Sequence, residues 1–177
     1  MVSKDNNELN NHFFSFDLGP AHFISYSTEF YYFTQYGWDQ IKTQYDWLVK
    51  DLIEANKPEN RAERPWIITF GHKPLYCGNK GKNGSECTDF KRIDLKDGIK
   101  IKNVGTAKYG LEELFYKYGV DLQLFGHEHN YQRLFPIYKE KVYNGSTEQP
   151  YHNPKAPVHI VTGSAVSCLL DYIIIFQ

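Results

Sequence analysis

Two apolar runs in this chain end in the same way. WIITF at 66–70 is followed by Gly71 and His72, and VDLQLF at 120–125 by Gly126 and His127, with His129 two residues further on. A short continuous apolar run between Pro65 and Gly71 predicts a strand covered on both faces, as in a sheet with layers on either side. Strands of that kind belong to layered α/β domains, where ligands gather at the carboxyl ends of the strands. Each histidine is therefore expected directly after a buried strand. Gly71 and Gly126 are expected to permit the sharp change of direction that aims each imidazole inward.

Imidazole suits Zn, Fe, Cu or Ni, and a histidine-only set leaves positions for carboxylates, amides or water. His127 and His129, two apart on an extended segment, can face one cavity while Glu128 faces away. The spacing is not the helical H-E-x-x-H pattern, which sets its histidines on one helix face. The same positions also suit ordinary polar residues at strand ends. His22 and His159 lie inside strand-like runs and read as core or surface histidines, and His12 and His152 carry no pattern.

The remaining pattern agrees with an α/β (α+β) domain. FFSFDLG and AHFISYSTEFYYF, spanning 13–33, are rich in aromatic and β-branched residues and read as strands broken at Gly19-Pro20. Trp38, Ile41, Tyr45, Leu48 and Leu52 then form one apolar stripe of a surface helix running to about Ala55. NKPENRAERP reads as a polar loop, and 77–105 as a long excursion rich in glycine and lysine. Leu111, Leu114, Phe115 and Tyr118 share a second helical face, with Gly119 placed as its C-terminal cap. RLFPIY and KVYNGS read as paired strands, and PVHIVTGSA as another.

At 177 residues the chain has the length of one domain. A net charge of -1 with scattered Lys and Arg gives no footprint for nucleic acid. No run is long enough to span a membrane, and the polar N-terminus has no apolar core of a signal peptide. Two sequons at Asn83 and Asn144, with Cys77 and Cys87 bracketing GNKGKNGSE, favour a secretory setting in which those cysteines close a short loop. Two free thiols are the alternative there.

IITFGHKPLYC resembles the fourth signature block of the purple acid phosphatases, within the calcineurin-like metallophosphoesterases, and LQLFGHEHNYQRLFPIY resembles the fifth. KVYNGSTEQPYHNPKAPVHIVTGSA resembles the tail of the animal, plant-like type. The likeness covers about 13–165, described as the C-terminal portion of the domain, with 1–12 an atypical polar start and 166–177 a divergent end. It implies part of a four-layer α/β/β/α sandwich with a binuclear metal centre between its sheets. By that resemblance His72 and His127 bind a divalent ion (Zn, Mn or Fe), His129 binds ferric iron, and the substrate is a phosphate monoester in a secreted or lysosomal enzyme. The family's Gly-Asp-x-x-Tyr and Gly-Asn-His blocks have no counterpart here, and Asp17 lies in a strand that follows them. Asp89 and Phe90 stand where relatives carry a histidine after the second loop cysteine. The expectation is therefore a chain inactive alone, with a non-catalytic metal- or partner-binding fragment as the alternative. The sequence leaves the oligomeric state open.

Overall fold

The computed structural model describes residues 11–78, 91–100, 106–163 and 173–175. At its centre is one seven-stranded mixed sheet. β1 (Phe14–Leu18) and β2 (Ala21–Ser25) form an antiparallel hairpin turned at Gly19, whose φ of +55° favours glycine. A short helix α1 (Glu29–Tyr32) and a 3₁₀ turn (Thr34–Tyr36) follow, then α2 (Asp39–Ala55) and α3 (Pro58–Glu63). After β3 (Trp66–Gly71) come α4 (Lys91–Asp97), β4 (Gly98–Lys100), β5 (Ala107–Tyr109) and α5 (Leu111–Lys117). The chain continues through β6 (Leu122–Phe125), β7 (Tyr131–Arg133), β8 (Ile137–Tyr138), β9 (Lys141–Val142), β10 (Val158–Thr162) and β11 (Ile173–Ile175).

The sheet order is β1-β2-β3-β6-β10-β7-β11. The four strands from β2 to β10 run parallel, so β3 and β6 deliver their carboxyl ends to the same edge. β4 with β5 and β8 with β9 make two small antiparallel ribbons. The α2 stripe folds as expected from Ile41 onward, with Ile41, Leu48 and Leu52 fully buried in one core with Ile24, Ile67 and Val161 of the sheet, whereas Trp38 precedes the helix and is exposed. Gln44, on the same helix, is buried because it replaces a strand partner. Its side chain accepts from Ser27 N at 2.7 Å and donates to Ser27 O at 2.9 Å. Gly119 ends α5 in the left-handed region at φ +62°.

Four expectations need correction. The aromatic run after β2 is helical from Glu29 to Tyr32, because Tyr31 and Tyr32 are buried from a helix rather than alternating across a sheet. The supposed polar loop contains α3, which uses Pro58 at its start, where a missing N–H costs nothing. The long excursion carries α4 and β4. The central sheet is also covered unequally. On the helix side Ile24, Ile67, Phe125 and Val161 are no more than 2% exposed, whereas Phe23, Ile68, Leu124 and Ile160 on the other side remain partly exposed. Two-sided cover is not what the described residues supply.

Two histidines of the helix side are structural. His22 of β2 lies between Asp17 (Nδ1 to Oδ1, 2.7 Å) and Asp51 of α2 (Nε2 to Oδ2, 2.9 Å). Ser15 also donates to Asp51 at 2.6 Å, so the hairpin is fastened to α2. Burial pulls the His22 pKa down, but the hydrogen bonds and charges of the two aspartates outweigh it and leave it raised. His159 of β10 is 1% exposed, beside Gln123 in the register and stacked on Phe125 with ring centroids 6.1 Å apart. Burial, helped by the charge of Lys96, pushes its pKa down to about 3 against one backbone hydrogen bond to Ile137.

Candidate metal centre

His72 follows β3 and His127 follows β6, and these strands are parallel neighbours with Gly71 opposite Phe125. Their ends are tied by a hydrogen bond from Gly126 N to His72 O at 3.1 Å. The rings meet edge to face, with His127 Nδ1 2.9 Å from His72 Nε2. The glycines act differently from expectation. Neither Gly71 nor Gly126 has a positive φ. Gly71 is needed for space, since a Cβ there would lie 3.0 Å from both Thr28 Cγ2 and Tyr26 Cζ. The unusual backbone belongs to His127 itself, at φ 64°.

That φ sits inside a one-residue turn, closed by Glu128 N donating to Gly126 O at 2.8 Å. A second such bond, Asn130 N to Glu128 O at 2.8 Å, continues the tight path. A histidine at positive φ is uncommon and stores strain of order 1–3 kcal/mol, which must be held by its surroundings. Part of the holding comes from Gly163 after β10, where any Cβ would lie 2.3 Å from Glu128 O. Gln132 adds a brace, donating to Asn130 Oδ1 at 2.9 Å and accepting from Gly78 N at 2.7 Å. Glu128 is nearly buried, at 9% exposure, rather than turned to solvent as a bystander would be.

His129 lies exposed in the same loop. Among the described residues no three His, Cys, Asp or Glu side chains gather as a metal site. The structure therefore brings together two of the three predicted ligands. Lys73, missed in the sequence though it adjoins His72, points at the pair: its Nζ is 3.2 Å from His127 Nε2 and 4.6 Å from the Tyr32 ring centroid. Thr28 accepts from Lys73 N at 2.9 Å, and no sequence spacing connects those two residues. Of the remaining predicted positions, Cys77 is disulfide-bonded, while Cys87 and Asn83 lie outside the described residues. Asn144 is exposed in the loop after β9.

The two ring nitrogens are hydrogen-bonded at 2.9 Å, and that spacing is also compatible with a shared cation. Ligands at about 2.0–2.1 Å from one ion and at right angles to each other are about 2.9 Å apart. The pair fits such an ion as a partial donor set, with further ligands required.

Residues 3–131 match the family model described as calcineurin-like phosphoesterase. The chain belongs to that family. It is 56% identical over 156 residues to acid phosphatase type 7 of Danio rerio, covering 86% of this chain and 33% of the relative. The human acid phosphatase type 7 is 55% identical over 152 residues, with 86% and 32% covered. The calcineurin-like fold is also found in a solved structure, the purple acid phosphatase PPD1 of yellow lupin seeds. It superposes with a TM-score of 0.62 at 25% identity, over 93% of this chain and 24% of that one. The mixed α/β architecture is thus that of the purple acid phosphatases, and the chain spans about a third of the length of its animal relatives.

Proposed function

We propose that this chain carries one wall of a binuclear metal centre for phosphate monoester hydrolysis, and that alone it is inactive. The observation that carries this is the convergence of His72 Nε2 and His127 Nδ1 from two parallel strand ends, under a strained backbone at His127. His72 and His127 would hold the divalent ion, with Zn, Mn or Fe as candidates, and His129 would face a second ion, iron by family likeness. Bound metal would supply electrostatic stabilisation of the attacking and leaving oxygens. The residues of this chain orient the ligands: Gly126 N ties the two strand ends, and Lys73 sets a cation against the far nitrogen of His127, where an anionic phosphate benefits.

Among the described residues the donors brought together are too few to hold two ions. The sequence has no Gly-Asp-x-x-Tyr or Gly-Asn-His block to add carboxylates and an amide. The reading therefore assigns 13–165 to the C-terminal portion of the catalytic domain, with the missing ligands on chain outside it. A secretory or lysosomal setting, glycans on Asn83 and Asn144, and pairing of Cys77 with Cys87 belong to the same proposal. Supporting it are the exposure of Asn144 and the bonded state of Cys77.

The test uses purified chain with cobalt, zinc and iron. Cobalt is expected to give a weak, His-dependent visible spectrum that His127→Ala abolishes, with no turnover of an aryl phosphate. Turnover that His72→Ala removes would overturn the claim of inactivity. An unchanged cobalt spectrum in the His72→Ala and His127→Ala variants would overturn the site.

A further inference from the structure

Four positions cross the helix side of the central sheet in direct register: Ile24 of β2, Thr69 of β3, Gln123 of β6 and His159 of β10. All four are no more than 1% exposed, so the row is interior to this chain. Three of the four are polar, in a layer that apolar side chains normally fill. Thr69 Oγ1, Gln123 Oε1 and His159 Nδ1 are each buried without a hydrogen-bond partner among the described residues. Buried polar atoms are nearly always paired, so three orphans on neighbouring strands call for one shared explanation.

Their chemistry is complementary to a single small molecule. The bond from His159 to the Ile137 backbone raises the imidazole pKa, so the ring donates there to the carbonyl oxygen. With Nδ1 unpartnered the donor is Nε2, and Nδ1 of the neutral ring is left as a bare acceptor. Gln123 Oε1 is a second acceptor, and the Thr69 hydroxyl donates or accepts. An occupant with two donor hydrogens and a free lone pair satisfies all three. A charged occupant does not fit. The positive charge of Lys96 acts on His159 against a cation, and an anion would meet two acceptors and one hydroxyl.

We infer that one internal water molecule is bound in this row, donating to His159 Nδ1 and Gln123 Oε1 and accepting from Thr69 Oγ1. The reach is right. Strands about 4.8 Å apart set the backbones of Thr69 and His159 about 10 Å apart. Side chains that each reach about 2 Å inward leave about 6 Å, close to the span of one water with two bonds of about 2.8 Å. Phe125 stacked on the imidazole and Tyr76 edge-on to it at 5.2 Å wall the site. Three bonds are the usual complement of a buried water. Thr69 stands three residues before His72, Gln123 four before His127, and His159 four before Gly163. The water therefore fastens together, below their ends, the three strands that shape the histidine loop, and it does so with or without a metal.

Water-selective nuclear Overhauser spectra of the purified chain are expected to show a long-lived water beside the Thr69 methyl group and the His159 ring protons. The Thr69 hydroxyl exchanges with solvent and can imitate that signal. Thr69→Val removes the hydroxyl, and the His159 ring protons should keep the water signal because Gln123 still holds the molecule. Urea unfolding gives an independent reading. An unpaired hydroxyl would make Thr69→Val neutral or stabilising, whereas loss of a bond to the water should lower the folding equilibrium constant about 5- to 10-fold. With Gln123→Leu and His159→Leu already in place the water has no site, and Thr69→Val should then change the constant by no more than about 2-fold. Should that background fail to fold, the Thr69→Val chain decides through its own two readings. A neutral or stabilised Thr69→Val chain, an equal loss in both backgrounds, or no water signal at the His159 ring would each overturn the inference.

Discussion

Replacing His159 by Gln should flatten the acid side of the stability profile. His159 is fully buried on the helix side of β10, and its pKa falls from 6.5 unfolded to about 3 folded. A group depressed in the native state binds its proton preferentially when unfolded. Its contribution is therefore fully present above pH 6.5 and is lost as the pH falls toward 3. The limit of that loss is about 3.5 pH units at 1.36 kcal/mol each, roughly 5 kcal/mol. Between pH 7.5 and 4.5 the single group contributes on the order of 3 kcal/mol of destabilisation, about half of it by pH 5.5. Urea unfolding of the native chain and of His159→Gln at pH 7.5, 6.5, 5.5 and 4.5 measures the difference directly. Gln costs something at every pH through its altered bond to the Ile137 backbone, so only the slope matters. The stability advantage of the native chain over the variant should shrink by about 1.4 kcal/mol per unit below pH 6. Parallel profiles would refute the burial argument, since the imidazole would then titrate alike in both states.

His22 should behave in the opposite sense. Its raised pKa means that the stability given by Asp17 and Asp51 is fully present below pH 6.5 and is lost as the pH rises through the folded value, so His22→Gln should cost more at pH 5 than at pH 8 in the same unfolding assay. Leu48→Ala, at a fully buried α2 position, should cost about 3–5 kcal/mol and lower the melting temperature on the order of 10 °C, read by calorimetry. Gly71→Ala should cost about 1–3 kcal/mol in urea unfolding, because its methyl group meets Tyr26 and Thr28 at 3.0 Å, and it should weaken cobalt binding by displacing His72.

The helical stripe of α2, the glycine cap of α5 and the twinned strand ends were readable because each is written within one short window. Periodicity reports burial of a single element, and it served those three well. What it missed depends on contacts distant in sequence. α1 follows strand-like aromatic residues, but Tyr31 is buried and donates to Tyr109 O at 2.5 Å, 78 residues away. α3 is polar throughout and none of its residues is buried. It is held instead by Arg61, which bonds Pro65 O at 2.6 Å and Asp121 Oδ2 at 3.1 Å. A composition-based reading has no access to that bond.

The histidine loop shows the same limit at the site. Its sequence predicts that glycine makes the bend, because glycine is the residue that bends without strain. The backbone instead bends at His127, and the glycines give space: Gly71 against Tyr26 and Thr28, and Gly163 against Glu128 O. Strain placed on His127 itself is costly unless the neighbouring backbone is packed against it. The Gly163 approach supplies that packing at Glu128, from a strand end 35 residues later, while Gly71 lets the end of β3 sit against Tyr26 and Thr28. A looser loop could satisfy its hydrogen bonds without bringing Nδ1 of His127 to 2.9 Å from Nε2 of His72. The bend therefore fixes the pair, and under the proposed function that fixed pair is what would receive the cation.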